Sequence, residues 1–365
     1  MRILCLIDSL GSGGAQRQIV GLAALLKSSG RQVKLIYYHD SHFYRYYLDE
    51  HQVDYECIQC SKHKFVNLYY VLKAVKSFRP DVVISYLDGS SLLGCIAKIS
   101  GTKFTLIVSE RSSTKHLPLT WKRRVKFFLY RKANYIVPNS YSEALFIGEH
   151  YPCLKDKIHP ITNFVNVDYF CPGNSDKMVS GKFNVLVVGR ILPSKNILNL
   201  LKALRKILGE GFRFSVTWVG REEDQEYYSQ CLAERDRLGL NDVFHFKKES
   251  KNVLEEYRKA DVFCLPSWRE GYPNVISEAM ACGLPVLCGD IGDNANIISE
   301  GNNGFLFDPH SVDSMADTFM RFFKIDRNSI LKMGKESRRI ALEKFSAAKF
   351  VEKYLELIES GYEKE

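Results

Sequence analysis

Short apolar runs alternate with longer stretches of helical period along most of this chain. In the first half, residues 3–7, 33–37, 82–86, 104–108 and 135–137 read as buried strands. Residues 16–27 and 68–78 between them repeat their apolar positions at helical spacing. A second series begins after residue 180, with strands at 184–188, 214–219, 243–246, 262–265 and 286–288 and helices at 197–208, 227–238 and 253–259. Near-continuous apolar strands separated by helices predict parallel sheets covered on both faces, here two doubly wound α/β sheets.

The stretch 170–181, rich in Pro, Gly, Ser and Asp, separates the two series and reads as linker. The expected organisation is therefore a first domain at 1–165, a linker at 166–182, a second domain at 183–345 and a closing helical segment at 346–365. Two such domains would face each other across a cleft. Ligands of doubly wound sheets bind beyond the carboxyl ends of the strands, so each strand-to-helix loop is a place to look for chemistry.

Composition narrows the class. With 45% hydrophobic and 25% charged residues the chain is globular in type, neither disordered nor fibrous. The opening apolar run is too short for a signal segment, and no uncharged stretch is long enough to cross a membrane. Most of the ten cysteines sit in apolar strands (Cys5, Cys264, Cys288) or helices (Cys95, Cys282) as small hydrophobes. Cys57 and Cys60 form a lone C-x-x-C without a second pair, so neither a metal nor a disulfide framework is expected and the setting reads as cytoplasmic. The net charge of +9 is uneven: the residues through 170 hold 23 Lys and Arg against 13 Asp and Glu, and the rest is close to neutral. Anionic partners are drawn to the amino-terminal half.

Three loops carry candidate chemistry. Gly11-Ser-Gly13-Gly14-Ala-Gln16-Arg17 follows the first strand and opens a helix, where backbone amides can meet a phosphate or sugar. Gln16 stands where a dinucleotide fingerprint needs glycine, which disfavours a nicotinamide-dependent dehydrogenase, and a plain turn is the competing reading. Gly189-Arg190 and Lys195-Asn196 flank a second strand-to-helix loop, and two cations beside a helix N-terminus suit a diphosphate, unless they are only solvated surface charges. In the third, Glu270 lies in a loop and Glu278 inside a helix among apolar neighbours, where its carboxylate needs a partner such as sugar hydroxyls. Pro273 suits that helix's first turn and Gly283 its exit.

The spacing Glu270-x7-Glu278, continuing Ala-Met-Ala-Cys-Gly-Leu-Pro-Val, resembles the signature of the GT-B retaining glycosyltransferases of family 4. The resemblance extends to Gly13-Gly14-Ala-Gln16-Arg17, to Gly189-Arg190 with Lys195, to Ala260-Asp261-Val262 ahead of Pro266-Ser267, and to Asn303-Gly304-Phe-Leu-Phe. It implies a hexosyltransferase of GT-B fold, two Rossmann-like domains with the closing helix returning to the first. Glu278 would hold the donor ribose and Glu270 the transferring sugar. Arg190 and Lys195 would neutralise the leaving diphosphate. Gly189, Asn196, Gly271, Tyr272, Pro273, Asn274 and Val275 would line the donor site. No metal or other cofactor is implied.

Ser109-Glu110-Arg111 is similar to bacterial members that extend lipid-linked oligosaccharides or capsular and O-antigen repeats, where many relatives carry a His; Glu110 and Arg111 then fall in the acceptor region, or form a plain surface ion pair. The implied function is retaining transfer of an N-acetylhexosamine or hexose from a UDP-sugar to a lipid-linked saccharide. A nucleotide-sugar epimerase of the same fold or a non-catalytic sugar-nucleotide binder are the alternatives. Two departures stand out: Asp293 would place a negative charge near the donor, and Asn196 occupies a position where Gly is frequent, although Asn can adopt the same backbone angles and cap a helix.

Residues 111–142 hold no Asp or Glu, and within them Trp121, Val125, Phe128 and Leu129 share a helical face flanked by Lys122, Arg123, Arg124, Lys126 and Arg131. A basic, aromatic-rich amphipathic helix is suited to an anionic membrane surface, which would make the protein peripheral on the cytoplasmic face; otherwise the apolar face packs on the core and the cations are solvated. No nucleic-acid-binding pattern accompanies the charge.

Overall fold

The computed structural model describes residues 1–58, 64–111, 120–173, 181–249 and 252–362. Cys60, and with it the C-x-x-C pair, lies outside the described residues, as do most of the linker's central residues. The chain divides into two compact units: unit 1 comprises Met1–Asn163 with Ala347–Glu365, and unit 2 comprises Phe164–Ser346.

Unit 1 alternates β1 (Arg2–Ile7), α1 (Gly14–Ser28), β2 (Gln32–Tyr37), α2 (Arg45–Glu50), β3 (Asp54–Cys57), α3 (Lys64–Phe78), β4 (Val82–Tyr86), α4 (Asp88–Ile99), β5 (Thr105–Glu110), α5 (Trp121–Tyr130), β6 (Tyr135–Pro138) and α6 (Tyr141–His150). Unit 2 continues with β7 (Phe183–Val188), α7 (Ile197–Ile207), β8 (Phe214–Val219), α8 (Gln225–Arg237), β9 (Phe244–Lys247), α9 (Val253–Lys259), β10 (Val262–Leu265), α10 (Asn274–Ala281), β11 (Val286–Gly289), α11 (Asn294–Ile297), β12 (Gly304–Phe307), α12 (Val312–Phe323) and α13 (Arg327–Lys344). The closing helix α14 (Ala347–Tyr362) belongs to unit 1.

Each unit holds one six-stranded sheet, ordered β3-β2-β1-β4-β5-β6 and β12-β11-β10-β7-β8-β9, with every pairing parallel. In both, the first strand lies inside and the direction of winding reverses beside it, between β1 and β4 and between β7 and β10. β4, β5, β6, β10 and β11 are buried along their whole length, which is why they read as unbroken apolar runs. β3 escaped the sequence pattern because it is a short edge strand whose side chains stay partly in water.

The linker expectation needs correction. Residues 164–173 are part of unit 2: Val165 and Phe170 enter its core, Val165 donates its amide to Phe345, and the Arg338 guanidinium gathers the carbonyls of Val167, Phe170 and Ala281. In unit 1, α14 is fastened by Tyr354, whose hydroxyl meets that of Tyr86 at 2.9 Å and accepts from Arg111 at 2.8 Å.

Candidate active site

In unit 2 the loops after β7 and β10 meet above the reversal of the sheet. Lys195, on a short 3-10 turn at Pro193–Lys195, places its ammonium 2.5 Å from a Glu270 carboxylate oxygen, and both side chains are only 14% exposed. Asn196 follows with φ 64° and ψ 36°, left-handed angles that Asn tolerates better than most residues. Its side chain does not cap α7. Instead Nδ2 donates to the carbonyls of Pro266 at 3.0 Å and Pro309 at 2.7 Å, tying three strand-end loops together, while the Tyr227 hydroxyl accepts the Ile197 amide. Gly189 and Gly220 come so close that a Cβ on Gly220 would sit 1.9 Å from the Gly189 oxygen, so only glycine fits there.

Pro273 is the N-cap residue of α10, and Gly271 and Tyr272 lead into it. The helix carries Asn274 and Val275 in its first turn. It ends in a Schellman motif: Leu284 donates to Ala279 and Gly283 to Met280, with Gly283 at φ 72°. Glu278 is buried among Ala279, Met280 and Ala281, and Tyr257 donates to it at 2.9 Å, so the protein itself supplies one partner.

Two expectations for this loop cluster change. Arg190 is exposed and donates from one guanidinium nitrogen to both Glu223 carboxylate oxygens, at 2.9 and 3.1 Å, so its charge is already paired in this structure. Asp293 is buried, so its charge is turned into the protein. Sequence reasoning passed over Trp268 and His310, whose rings stack with centroids 6.1 Å apart; they lie 42 residues apart in the chain and no local signal joins them.

Unit 1 treats its candidates differently. Gly13 has ordinary angles and is the N-cap of α1. The Gln16 side chain folds back over Gly13 and donates to Asp8 at 3.2 Å, filling the space where a ligand was expected to approach the glycines. Gly14 and Arg17 lie in the first turn of that helix, and the Arg17 amide bonds Gly13. Glu110 and Arg111 do not pair with each other. Glu110 is buried and bonded to Lys126, while Arg111 lies over the Tyr86 ring at 3.9 Å and donates to Asn163 and Tyr354, a structural clamp. Burial pushes the Glu110 carboxyl up to about 7 against the pull of Lys126. Burial works to lower the Lys126 ammonium, but Glu110 and Asp88 outweigh it and raise its pKa.

α5 overturns the reading in which its apolar face packs on the core, and it withdraws Arg123 and Lys126 from the exposed cations. Arg123 and Lys126 face inward with Phe127 and Tyr130, Arg123 over the Phe146 ring at 4.7 Å and Lys126 between Glu110 and Asp88. Trp121, Val125 and Phe128 face outward beside Lys122 and Arg124, and Trp121 is 71% exposed. The buried carboxylate decides the orientation, since it would be left unpaired if the apolar face turned in.

Two doubly wound parallel sheets of this order are the architecture of the GT-B class of glycosyltransferases. The chain belongs to that family: the Glycosyltransferase Family 4 model matches residues 12–169 and the Glycosyl transferases group 1 model residues 175–340. It is 30% identical over 300 residues, 77% of each chain, to a Campylobacter jejuni enzyme named GalNAc-alpha-(1->4)-GalNAc-alpha-(1->3)-diNAcBac-PP-undecaprenol alpha-1,4-N-acetyl-D-galactosaminyltransferase. It is also 30% identical to a probable sucrose-phosphate synthase of Thermosipho melanesiensis over 57% of this chain, which spans about half (49%) of that relative. Among solved structures, Anabaena HepE in complex with UDP has a TM-score of 0.87 at 21% identity, covering 99% of this chain and 100% of that one, which shows the fold. Among the described residues no helix is long and apolar enough to cross a membrane.

Proposed function

We propose that this glycosyltransferase moves a hexose or N-acetylhexosamine from a UDP-sugar, with retention at the anomeric carbon, onto a lipid-linked saccharide. The observation that carries the reading is the Lys195–Glu270 pair over the sheet reversal, beside the N-terminus of α10 and one helical stretch from the buried Glu278. Diphosphate oxygens would take the Lys195 ammonium from Glu270 and meet the first amides of α10, so a fixed cation and a helix terminus carry the charge without a metal. Glu270, released, would accept a hydroxyl of the transferring sugar, and Glu278 would accept the ribose. Bonding of the acceptor oxygen to the anomeric carbon and departure of the diphosphate occur on one face, and the acceptor proton passes to the leaving phosphate. UDP is favoured by the likeness to the HepE–UDP complex, and a lipid-linked acceptor by the undecaprenol-linked substrate in the Campylobacter relative's name.

A peripheral position on an anionic membrane belongs to the same reading. Outward Trp121, Val125 and Phe128 with Lys122 and Arg124 form an aromatic and cationic face that suits lipid headgroups.

Nucleotide release from a panel of UDP- and GDP-sugars, with and without membrane extract, tests the function. Release that depends on extract supports transfer. Donor conversion independent of any acceptor points to an epimerase, and tight UDP binding without turnover to a binding protein.

A further inference from the structure

We propose that Asp88 is the carboxylate through which unit 1 recognises a hydroxyl of the acceptor saccharide, a reading that rests on the transferase function above. The sheet of unit 1 reverses between β1 and β4, and in such sheets ligands lie over the carboxyl ends of the strands that flank the reversal. Asp88 stands there, as the first residue of α4 after β4. The turn that delivers it is unusual and firmly held. Leu87 has φ 71° and ψ 156°, angles that side-chain-bearing residues rarely adopt. Gly89 packs so tightly that a Cβ would lie 2.7 Å from the Tyr38 hydroxyl, which in turn meets the Ser90 hydroxyl at 3.2 Å.

The side chain is as fixed as the turn. Lys126 donates to one Asp88 oxygen at 2.7 Å and also bonds Glu110. Lys126 is 6% exposed and Glu110 1%, whereas Asp88 is 59% exposed. A buried lysine–carboxylate pair gains little stability over apolar residues of the same volume. Here it does something apolar residues could not, because it aims one oxygen of an exposed carboxylate inward and leaves the other toward solvent. A carboxylate held this way accepts hydrogen bonds and repels phosphate, so its ligand is a hydroxylated ring and not the diphosphate of the acceptor.

The test is steady-state transfer by the full chain, with a short polyprenyl diphosphate-linked N-acetylhexosamine as the acceptor probe. D88N keeps the shape but halves the accepting capacity, and its acceptor KM should rise at least tenfold while the donor KM moves less than twofold. E110Q/K126M removes both buried charges together and leaves Asp88 unaimed; it should raise the acceptor KM in the same way at a melting temperature near wild type. An acceptor KM within twofold of wild type in D88N overturns the assignment, as does an equal loss in donor and acceptor KM. If the wild-type protein releases no nucleotide from any sugar nucleotide, the transferase reading itself falls, and this one with it.

Discussion

Unit 1 and unit 2 share one strand order and differ in how they use charge. Unit 1 holds the whole net charge of +9, with 26 Lys and Arg against 17 Asp and Glu, while unit 2 balances 25 against 25. Each places a lysine–carboxylate pair near the carboxyl ends of its strands. In unit 1 the pair is sealed: Glu110 and Lys126 are buried, and only Asp88 reaches water. In unit 2 Lys195 and Glu270 are each 14% exposed, and on the proposed reading the donor diphosphate parts them. A sealed pair serves orientation and stability; an accessible one can exchange partners during a reaction.

The difference breaks most readily at Glu110. E110A leaves the Lys126 ammonium without its buried partner and should cost about 3–5 kcal/mol in urea unfolding. E270A should cost far less, and equal losses would erase the distinction. Because burial lifts the Glu110 carboxyl from an ordinary 4.5 to about 7, the folded protein holds that proton more tightly than the unfolded chain. Its contribution to stability is full below pH 4.5 and is lost as pH rises toward 7, so E110Q should flatten that part of the stability profile.

K195A is expected to lower nucleotide release on the order of 10²–10³-fold at saturating donor with the fold intact, the scale seen when a charge-stabilising group is removed. E278A should also remove most turnover, and near-normal rates in either would sink the donor-site assignment. N196G preserves the left-handed backbone but loses two side-chain hydrogen bonds, and should destabilise by about 1–3 kcal/mol. N196A adds backbone strain and should melt lower still. The smallest effect on the fold is expected at the surface of α5. K122E/R124E should weaken flotation with anionic liposomes at least about thirtyfold, from two cations lost at about 1 kcal/mol each. Wild type that does not float, or a variant that floats as well, removes the membrane from the reading.

Both sheets were legible in the sequence because buried parallel strands are continuous apolar runs, and their helices because the intervening periods are clean. The donor loops were legible because their chemistry is local: Glu270 and Glu278 lie eight residues apart on one loop and helix. What escaped depends on partners far along the chain. Periodicity sorted α5 by polarity and had no access to Glu110, whose burial turns Arg123 and Lys126 inward. Neither the acceptor reading nor the surface-pair reading of Arg111 reached Tyr354, which lies 243 residues later and is invisible from its neighbourhood. The same holds for Asn196, whose carbonyl partners are 70 and 113 residues away. Asp88 gave no signal at all, since the backbone angles of Leu87 cannot be read from its side chain.

The clamp of Arg111 and Tyr86 on Tyr354 has a consequence for how the molecule is made. Unit 2 is one continuous stretch and can assemble as it leaves the ribosome. Unit 1 is interrupted by it: the strands that end at Tyr86 and Glu110 emerge early, but the helix that covers them is translated only after all of unit 2. Until then the Arg111 guanidinium and the Tyr86 hydroxyl wait without their shared partner. A released chain truncated after residue 346 should therefore carry a protease-resistant second unit and a first unit that is still readily cut.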